Sequence, residues 1–276
     1  MRKLTLKQLI GAISGALLWY SPLRKHFLRD MLNPEKKSFL LGSFRLFVLD
    51  ILFYTDVPRY RSLIVSREAG DKWCDIYRSR RDTYEKQFSD WFDLLEKLIL
   101  QNKLTRVMQV GCAGGGELYH VAKRMPQISF IGVDLNKTAI ERNREVYKEI
   151  TNIEFVHGDV FTRNFFKEYK PQLVFTSGTA EYFTEDELKA FITLARKEMI
   201  TFVIFREPVT ITISDYPRET RSKPRGGMAF NHNYAFHLSN LGFKVSESVY
   251  EKTSTKDVKD VIVIGRFPSR NEQLSK

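Results

Sequence analysis

A chain of 276 residues, 43% hydrophobic and 28% charged, can bury a full core and is too apolar for wholesale disorder. Its two cysteines, Cys74 and Cys112, lie outside any CxxC pair or Cys/His cluster, which excludes a disulfide framework and a structural zinc site and fits a reduced, cytoplasmic setting. The net charge of +11 favours anionic partners, whether nucleic acid, a lipid surface or a phosphorylated substrate.

Much of that charge is N-terminal. The start, MRKLTLKQLIGAISGALLWYSPLRKHF, is basic and carries an apolar run from Leu9 to Tyr20. About 20 apolar residues are needed to span a bilayer, so this run is too short. A signal peptide would continue into a small-residue cleavage pattern, whereas here Trp19, Tyr20 and a basic segment follow. A second stretch, Ser38 to Tyr54, is interrupted by Arg45 and Asp50. Both read as amphipathic helices, and two roles are open: a cap packed on the main domain, or a peripheral contact of residues 1–60 with an anionic membrane. Residues 1–70 are therefore expected to form a basic helical extension, and 71–276 the main domain with its leading helix. That helix is expected over Asp71 to Leu100, where Tyr77, Tyr84, Phe88, Trp91, Leu94, Leu95 and Leu98 recur near the helical period.

From Arg106 onward, short β-rich runs alternate with helical segments, the pattern of βαβ units and a mostly parallel sheet. RVMQV, ISFIGVD, IEFVHG, QLVFTS and ITFVIFRE are the expected strands. Helices are expected over Glu117 to Met125, Lys137 to Ile150 behind an Asn136 cap, and from a Thr184/Glu187 capping box through Met199. A long polar loop, a short helix from Tyr234 to Leu241 and two strands, FKVSESVY and VKDVIVIGRF, close the chain.

The chemistry concentrates in VMQVGCAGGGELYHVAKRM, a strand entering a Gly-rich turn that opens a helix. Glycines there either make a tight connection or let the backbone approach a ligand facing the free N–H groups of the helix start. Asp134, at the end of the next strand, is an acid about 20 residues beyond the glycines, where it can accept from ribose hydroxyls or cap the following helix. This much suits either NAD or S-adenosylmethionine.

Over about residues 100 to 267 the chain resembles the class I S-adenosylmethionine-dependent methyltransferases. The residues that carry the likeness are Gln109-Val-Gly111-Cys-Ala113-Gly-Gly115, then Asp134, then Gly158-Asp159-Val160, with a terminal strand pair like the family's closing hairpin. The resemblance implies a Rossmann-like, seven-stranded, mostly parallel sheet with a C-terminal antiparallel hairpin. It also implies S-adenosyl-L-methionine as cofactor. Gly111 and Gly115 would line the methionine moiety, Asp134 would hold the ribose, and Asp159 with Val160 would border the adenine; Gln109, Cys112, Ala113, Leu135 and Ser177 complete the expected cofactor site. Two departures stand out. Gln109 occupies a position usually held by an acid, and Ala113 replaces a common glycine. Glutamine accepts a hydrogen bond but cannot offset a cationic cofactor, which keeps a non-catalytic cofactor-binding protein open. GxAxxG over residues 111–116 likewise keeps an NAD-dependent oxidoreductase open.

For the acceptor, FTSGTAEYF after the fourth strand brings Ser177, Glu181 and Tyr182 toward the ligand crevice. It lacks the Asn/Asp-Pro-Pro-Tyr motif of exocyclic-amine nucleic-acid methyltransferases, and no Pro-Cys dipeptide offers a nucleophile for cytosine C5. No aspartate pair at this strand end holds a metal. Phe230-Asn-His232-Asn-Tyr234 is similar to a segment in small-molecule methyltransferases, including some assigned to sugars. His232 is the first candidate base, Glu181 the second, and loop packing and a solvated helix start are their competing roles. Arg218, Arg221, Lys223 and Arg225 read either as a clamp for an anionic acceptor or as a solvated surface. The expected reaction is methyl transfer to a hydroxyl of a small molecule, glycan or glycolipid precursor. Lipid or RNA methylation are alternatives.

Overall fold

The computed structural model describes residues 74, 78–79, 81–209, 220, 222–226, 229–252 and 259–268. The N-terminal extension expected over residues 1–70, with its membrane-contact reading, lies outside the described residues, as do Arg218 and Arg221. No helix among the described residues is long and apolar enough to cross a membrane.

Helices α1 (Arg81–Gln87) and α2 (Ser89–Gln101) lead into β1 (Arg106–Val110), α3 (Gly116–Arg124), β2 (Ser129–Asp134), α4 (Lys137–Val146) and β3 (Ile153–His157). There follow α5 (Phe165–Tyr169), β4 (Leu173–Ser177), a 3₁₀ turn (Ala180–Tyr182), α6 (Glu185–Lys197) and β5 (Phe202–Val209). The strand pair β6 (Lys223–Gly226) and β7 (Ala229–Asn231), α7 (Tyr234–Asn240), β8 (Lys244–Lys252) and β9 (Lys259–Arg266) complete the order. Seven strands form one sheet in the order β3-β2-β1-β4-β5-β9-β8. The first five are parallel, while β9 runs antiparallel to both β5 and β8. The fold is thus the Rossmann-like sheet with a closing hairpin.

The strands are apolar on both faces because both are covered. Successive residues of a strand point to opposite sides, so Val107, Leu173 and Phe175 join one core while Met108, Val110 and Val174 join the other. On the first side α2 buries Trp91, Phe92, Leu95 and Ile99, an i, i+1, i+4, i+8 stripe, beside Leu118 and Val121 of α3. On the second, α6 buries Leu188, Phe191, Ile192 and Ala195 against Tyr234 and Leu238 of α7. Each large side chain removed from water contributes about 2 kcal/mol, so these stripes fix the helices to the sheet. The Thr184–Glu187 capping box and the Asn136 cap form as the sequence dictates.

Three expectations require correction. The leading helix breaks at Phe88, whose backbone leaves the helical region (φ −126°, ψ 28°) and whose ring lies over the Arg206 guanidinium, 4.2 Å from its centroid. Helix α4 stops at Val146 rather than Ile150 because Tyr147 turns inward, donating its hydroxyl to the Gly114 carbonyl at 3.0 Å and packing on Phe155. The polar loop contains the β6–β7 pair. Pro224 hides β6 in the sequence, yet a proline is tolerated where a strand has a neighbour on one side only.

Candidate active site

Strand order reverses direction between β1 and β4, and in such sheets ligands sit beyond the carboxyl ends of the strands at that point. The glycine turn after β1 lies there. Gly111 has φ +78°, and a Cβ on it would fall 2.1 Å from Thr179 Oγ1, so no side chain fits this close approach to the turn after β4. Ala113 also has positive φ, +44°, a strain of about 1 kcal/mol for an L-residue. Its neighbours hold it there: its N–H donates to Asp134 Oδ2 at 2.8 Å, and its carbonyl accepts from Asn143 Nδ2 at 2.8 Å.

Asp134 is buried, and burial pushes its pKa up while the Asn136 and Ala113 N–H groups pull it back. Each carboxylate oxygen accepts one of these N–H groups, which leaves lone pairs on both. The competing capping role falls to Asn136, whose Oδ1 accepts from Ala139 N at 3.0 Å. Cys112 is buried with its thiol pKa pushed well above the ordinary value, first by burial and then by Asp134. It is a packing residue rather than a nucleophile.

Gln109, Gly111, Cys112, Ala113, Ser177 and Glu181 line one cleft. Asp134, Leu135, Gly115, Asp159 and Val160 are not on that lining. Leu135 and Asp159 follow β2 and β3, one and two strands farther out. Asp159 accepts from Phe161 N at 2.9 Å, fixing the turn after β3, and Val160 is buried in the second core.

The structure adds residues to which the sequence analysis gave no role. Glu117, in the first turn of α3, accepts from Gln109 Nε2 at 2.5 Å and from Ser177 Oγ at 2.9 Å. Arg206, at the end of β5, donates to Ser177 Oγ at 3.0 Å and lies 3.4 Å from both Glu117 Oε1 and Asp260 Oδ2. Phe88, Pro208 and Asp260 join them on the cleft wall. The signals were present as an acid directly behind the glycine turn and a charged pair ending an apolar strand, but only three-dimensional pairing reveals their common location.

Glu181 is delivered by the 3₁₀ turn after β4, which is organised from beneath by Glu207. That side chain is fully buried. Its Oε1 accepts from Thr176 Oγ1 (2.6 Å), Thr179 N (3.2 Å) and Ala180 N (3.0 Å), and its Oε2 from Glu181 N (3.2 Å). Burial pushes the Glu207 pKa up to about 8 against the pull of these donors, and the Asp260 charge adds to the rise.

His232 does not reach the cleft lining. Its ring is buried, with Nε2 3.0 Å from the Phe183 carbonyl and Nδ1 2.6 Å from Ser222 Oγ. A carbonyl only accepts, so Nε2 carries the proton and Nδ1 accepts from the serine. Burial pushes its pKa down to about 3, assisted by His237. Both nitrogens are occupied within the fold, and the geometry favours the packing role over the base role.

The methyltransferase-domain family matches this chain over residues 107–198, from β1 into the end of α6. Residues 107–198 thus match a methyltransferase domain, and the sheet around them has the strand order of the class I, Rossmann-like fold. The NAD-dependent oxidoreductase alternative falls with that match. The sequence has no match among curated proteins. Among solved structures, the domain is similar to the PH0226 protein from Pyrococcus horikoshii OT3, at TM-score 0.51 and 17% identity, covering 67% of this chain and 91% of that one. It is also similar to an O-methyltransferase family protein from Burkholderia thailandensis, at TM-score 0.51 and 14% identity, covering 94% and 72% of the respective chains. EvdMO1 aligns at TM-score 0.46 and 20% identity over 69% of this chain, and the match spans only 41% of EvdMO1. Identities this low bear on fold alone.

Proposed function

We propose that this methyltransferase acts on a hydroxyl of an uncharged small molecule, of the saccharide or glycolipid-precursor class, with Glu181 as the base. The observation that carries the reading is the position of Glu181, on a rigidly held turn at the carboxyl end of β4, lining the same cleft as the glycine turn after β1. S-adenosylmethionine supplies an electrophilic methyl group on a sulfonium. Gly111, Ala113 and Gln109 would hold its amino-acid end and Asp134 its ribose. The fit to a cationic group rests on Gln109, which is buried at 2% exposure and whose Oε1 has no hydrogen-bond partner among the described residues.

Glu181 serves by accepting the hydroxyl proton as the oxygen becomes a nucleophile, a contribution of about 10²–10⁴-fold for a well-placed general base. The charge of the described cleft wall favours a neutral acceptor. Glu117, Glu181 and Asp260 place three carboxylates on the described wall against one guanidinium, Arg206, which already faces two of them. An anionic acceptor would meet net repulsion along this described wall; Arg218 and Arg221, of the expected clamp for an anionic acceptor, lie outside the described residues.

The test is transfer of labelled methyl groups to a panel of mono- and oligosaccharides, phenols and amines, by wild type and Glu181→Gln. The expected result is an alkali-stable methyl ether, with kcat lower by about 10²–10⁴-fold in the variant and S-adenosylhomocysteine affinity retained. An N-methyl product would overturn the hydroxyl assignment, an undiminished Glu181→Gln rate the base assignment. Cofactor binding without transfer to any acceptor or extract component would leave a non-catalytic binding protein.

A further inference from the structure

Gln109 is neutral where the motif's resemblance calls for an acid, and its neighbourhood shows where the charge has gone. Its amide Nε2 donates to Glu117 Oε2 at 2.5 Å. Two carboxylates at that separation cannot both ionise, so an acid at position 117 requires a neutral donor at position 109. The two positions share one negative charge, and this chain keeps it on the helix rather than on the strand.

We infer that Glu117 is the counter-charge for the α-ammonium group of the cofactor's amino-acid moiety, with Gln109 as its relay. The inference rests on the S-adenosylmethionine reading of the cleft. Three observations support it. Glu117 is 11% exposed and on the cleft wall, flanked by the last residue of β4 through Ser177 Oγ, so its charge is poorly screened and faces the ligand crevice. The Gln109 amide, turned to donate to Glu117, leaves Oε1 buried and without a hydrogen-bond partner among the described residues. An ammonium has three donors to place, and this hydrogen-bonded pair carries both a carboxylate and an unpartnered amide oxygen. Among the described residues of the cleft wall the cation near Glu117 is Arg206, which stands at 3.4 Å and divides its guanidinium between Glu117 and Asp260, so it does not neutralise Glu117 alone.

The experiment compares two ligands that share a nucleoside and differ in the amino acid: S-adenosylhomocysteine, which has the α-ammonium, and 5′-methylthioadenosine, which lacks it. Binding is measured by calorimetry for wild type, Glu117→Gln, and the swap Gln109→Glu/Glu117→Gln. A charge-assisted hydrogen bond is replaced by a neutral one, so Glu117→Gln is expected to weaken S-adenosylhomocysteine by roughly 10- to 100-fold and to leave methylthioadenosine within about twofold. The swap returns the carboxylate to the strand and is expected to recover most of the loss; it also carries the test if Glu117→Gln does not fold. Retained affinity in Glu117→Gln, equal loss of both ligands, or a swap that recovers nothing would overturn the inference. If wild type binds neither ligand, the cofactor reading fails and the inference with it.

Discussion

The pH dependence of stability at Glu207 tests how the acceptor side of the cleft is built. Its carboxyl is protonated in the fold up to about 8 because burial dominates over four donors. In the unfolded chain a glutamic acid ionises near 4.3. Between those values the folded state binds one more proton than the unfolded state, so stability falls as pH rises, by about 1.4 kcal/mol per unit at most. Integrated from pH 6 to 8, with the folded group half-ionised at the upper end, the loss is about 2 kcal/mol. Glu207→Gln removes the titration. Its carbonyl oxygen can keep the Thr176, Thr179 and Ala180 donors, and its NH₂ faces the Glu181 N–H as the O–H of the protonated wild-type acid also must; the amide's second N–H is an additional unpaired buried donor, which costs about 1–3 kcal/mol. Urea denaturation at about pH 6, 7 and 8 should therefore show the variant less stable than wild type by 1–3 kcal/mol at the lowest pH, with the gap closing by about 2 kcal/mol at the highest. Taking the difference between the two proteins cancels other titrating groups. A gap independent of pH would refute the reasoning and mean that the donors outweigh burial and Glu207 is ionised throughout.

His232→Gln should lower stability by about 1–3 kcal/mol through its lost buried partners while leaving the pH profile of methyl transfer unchanged; a 10²–10⁴-fold loss of kcat would restore it as the base. The same residue makes wild type acid-sensitive: its folded pKa lies below the unfolded value, so its contribution is full above about 6.5 and is lost as pH falls toward 3. Urea titrations on the acid side should show that limb in wild type and not in His232→Gln. Gly111→Ala places a Cβ 2.1 Å from Thr179 Oγ1 at φ +78°, and the combined strain should cost about 2–4 kcal/mol in denaturant; an unchanged midpoint would show that the turn can shift. If residues 1–60 contact an anionic membrane, the protein should float with phosphatidylserine liposomes and lose this at high salt or on deletion of that segment; flotation unaffected by the deletion would place the contact elsewhere.

The sequence was legible wherever one local rule decided the outcome. RVMQV and QLVFTS read as strands because they are short β-rich runs between turn signals, and both are buried on both faces. Thr184 and Glu187 announced their capping box by spacing alone. What stayed hidden depends on pairings across long sequence separations. Phe88 looked like one more apolar position in a helix, yet the helix breaks there and its ring stacks on Arg206, far along the chain. His232, adjacent to a cofactor-like fold and near neutral when free, invited a catalytic role; its burial against the Phe183 carbonyl, invisible in FNHNY, argues against one. Glu207 stood in plain view at the end of the fifth strand, yet only the parallel register of β4 and β5 makes it the acceptor for the turn bearing Glu181.

Gln109 illustrates the same difference at the level of chemistry. Taken alone it is a lost charge, and a lost charge suggests weak cofactor binding or none. Beside Glu117 the loss becomes a relocation, because a carboxylate 2.5 Å from the amide nitrogen would make an acid at position 109 costly by like-charge repulsion in a poorly solvated site. A departure from a family pattern thus carries functional meaning only together with the residue that packs against it, and the two must be substituted together to learn which holds the charge.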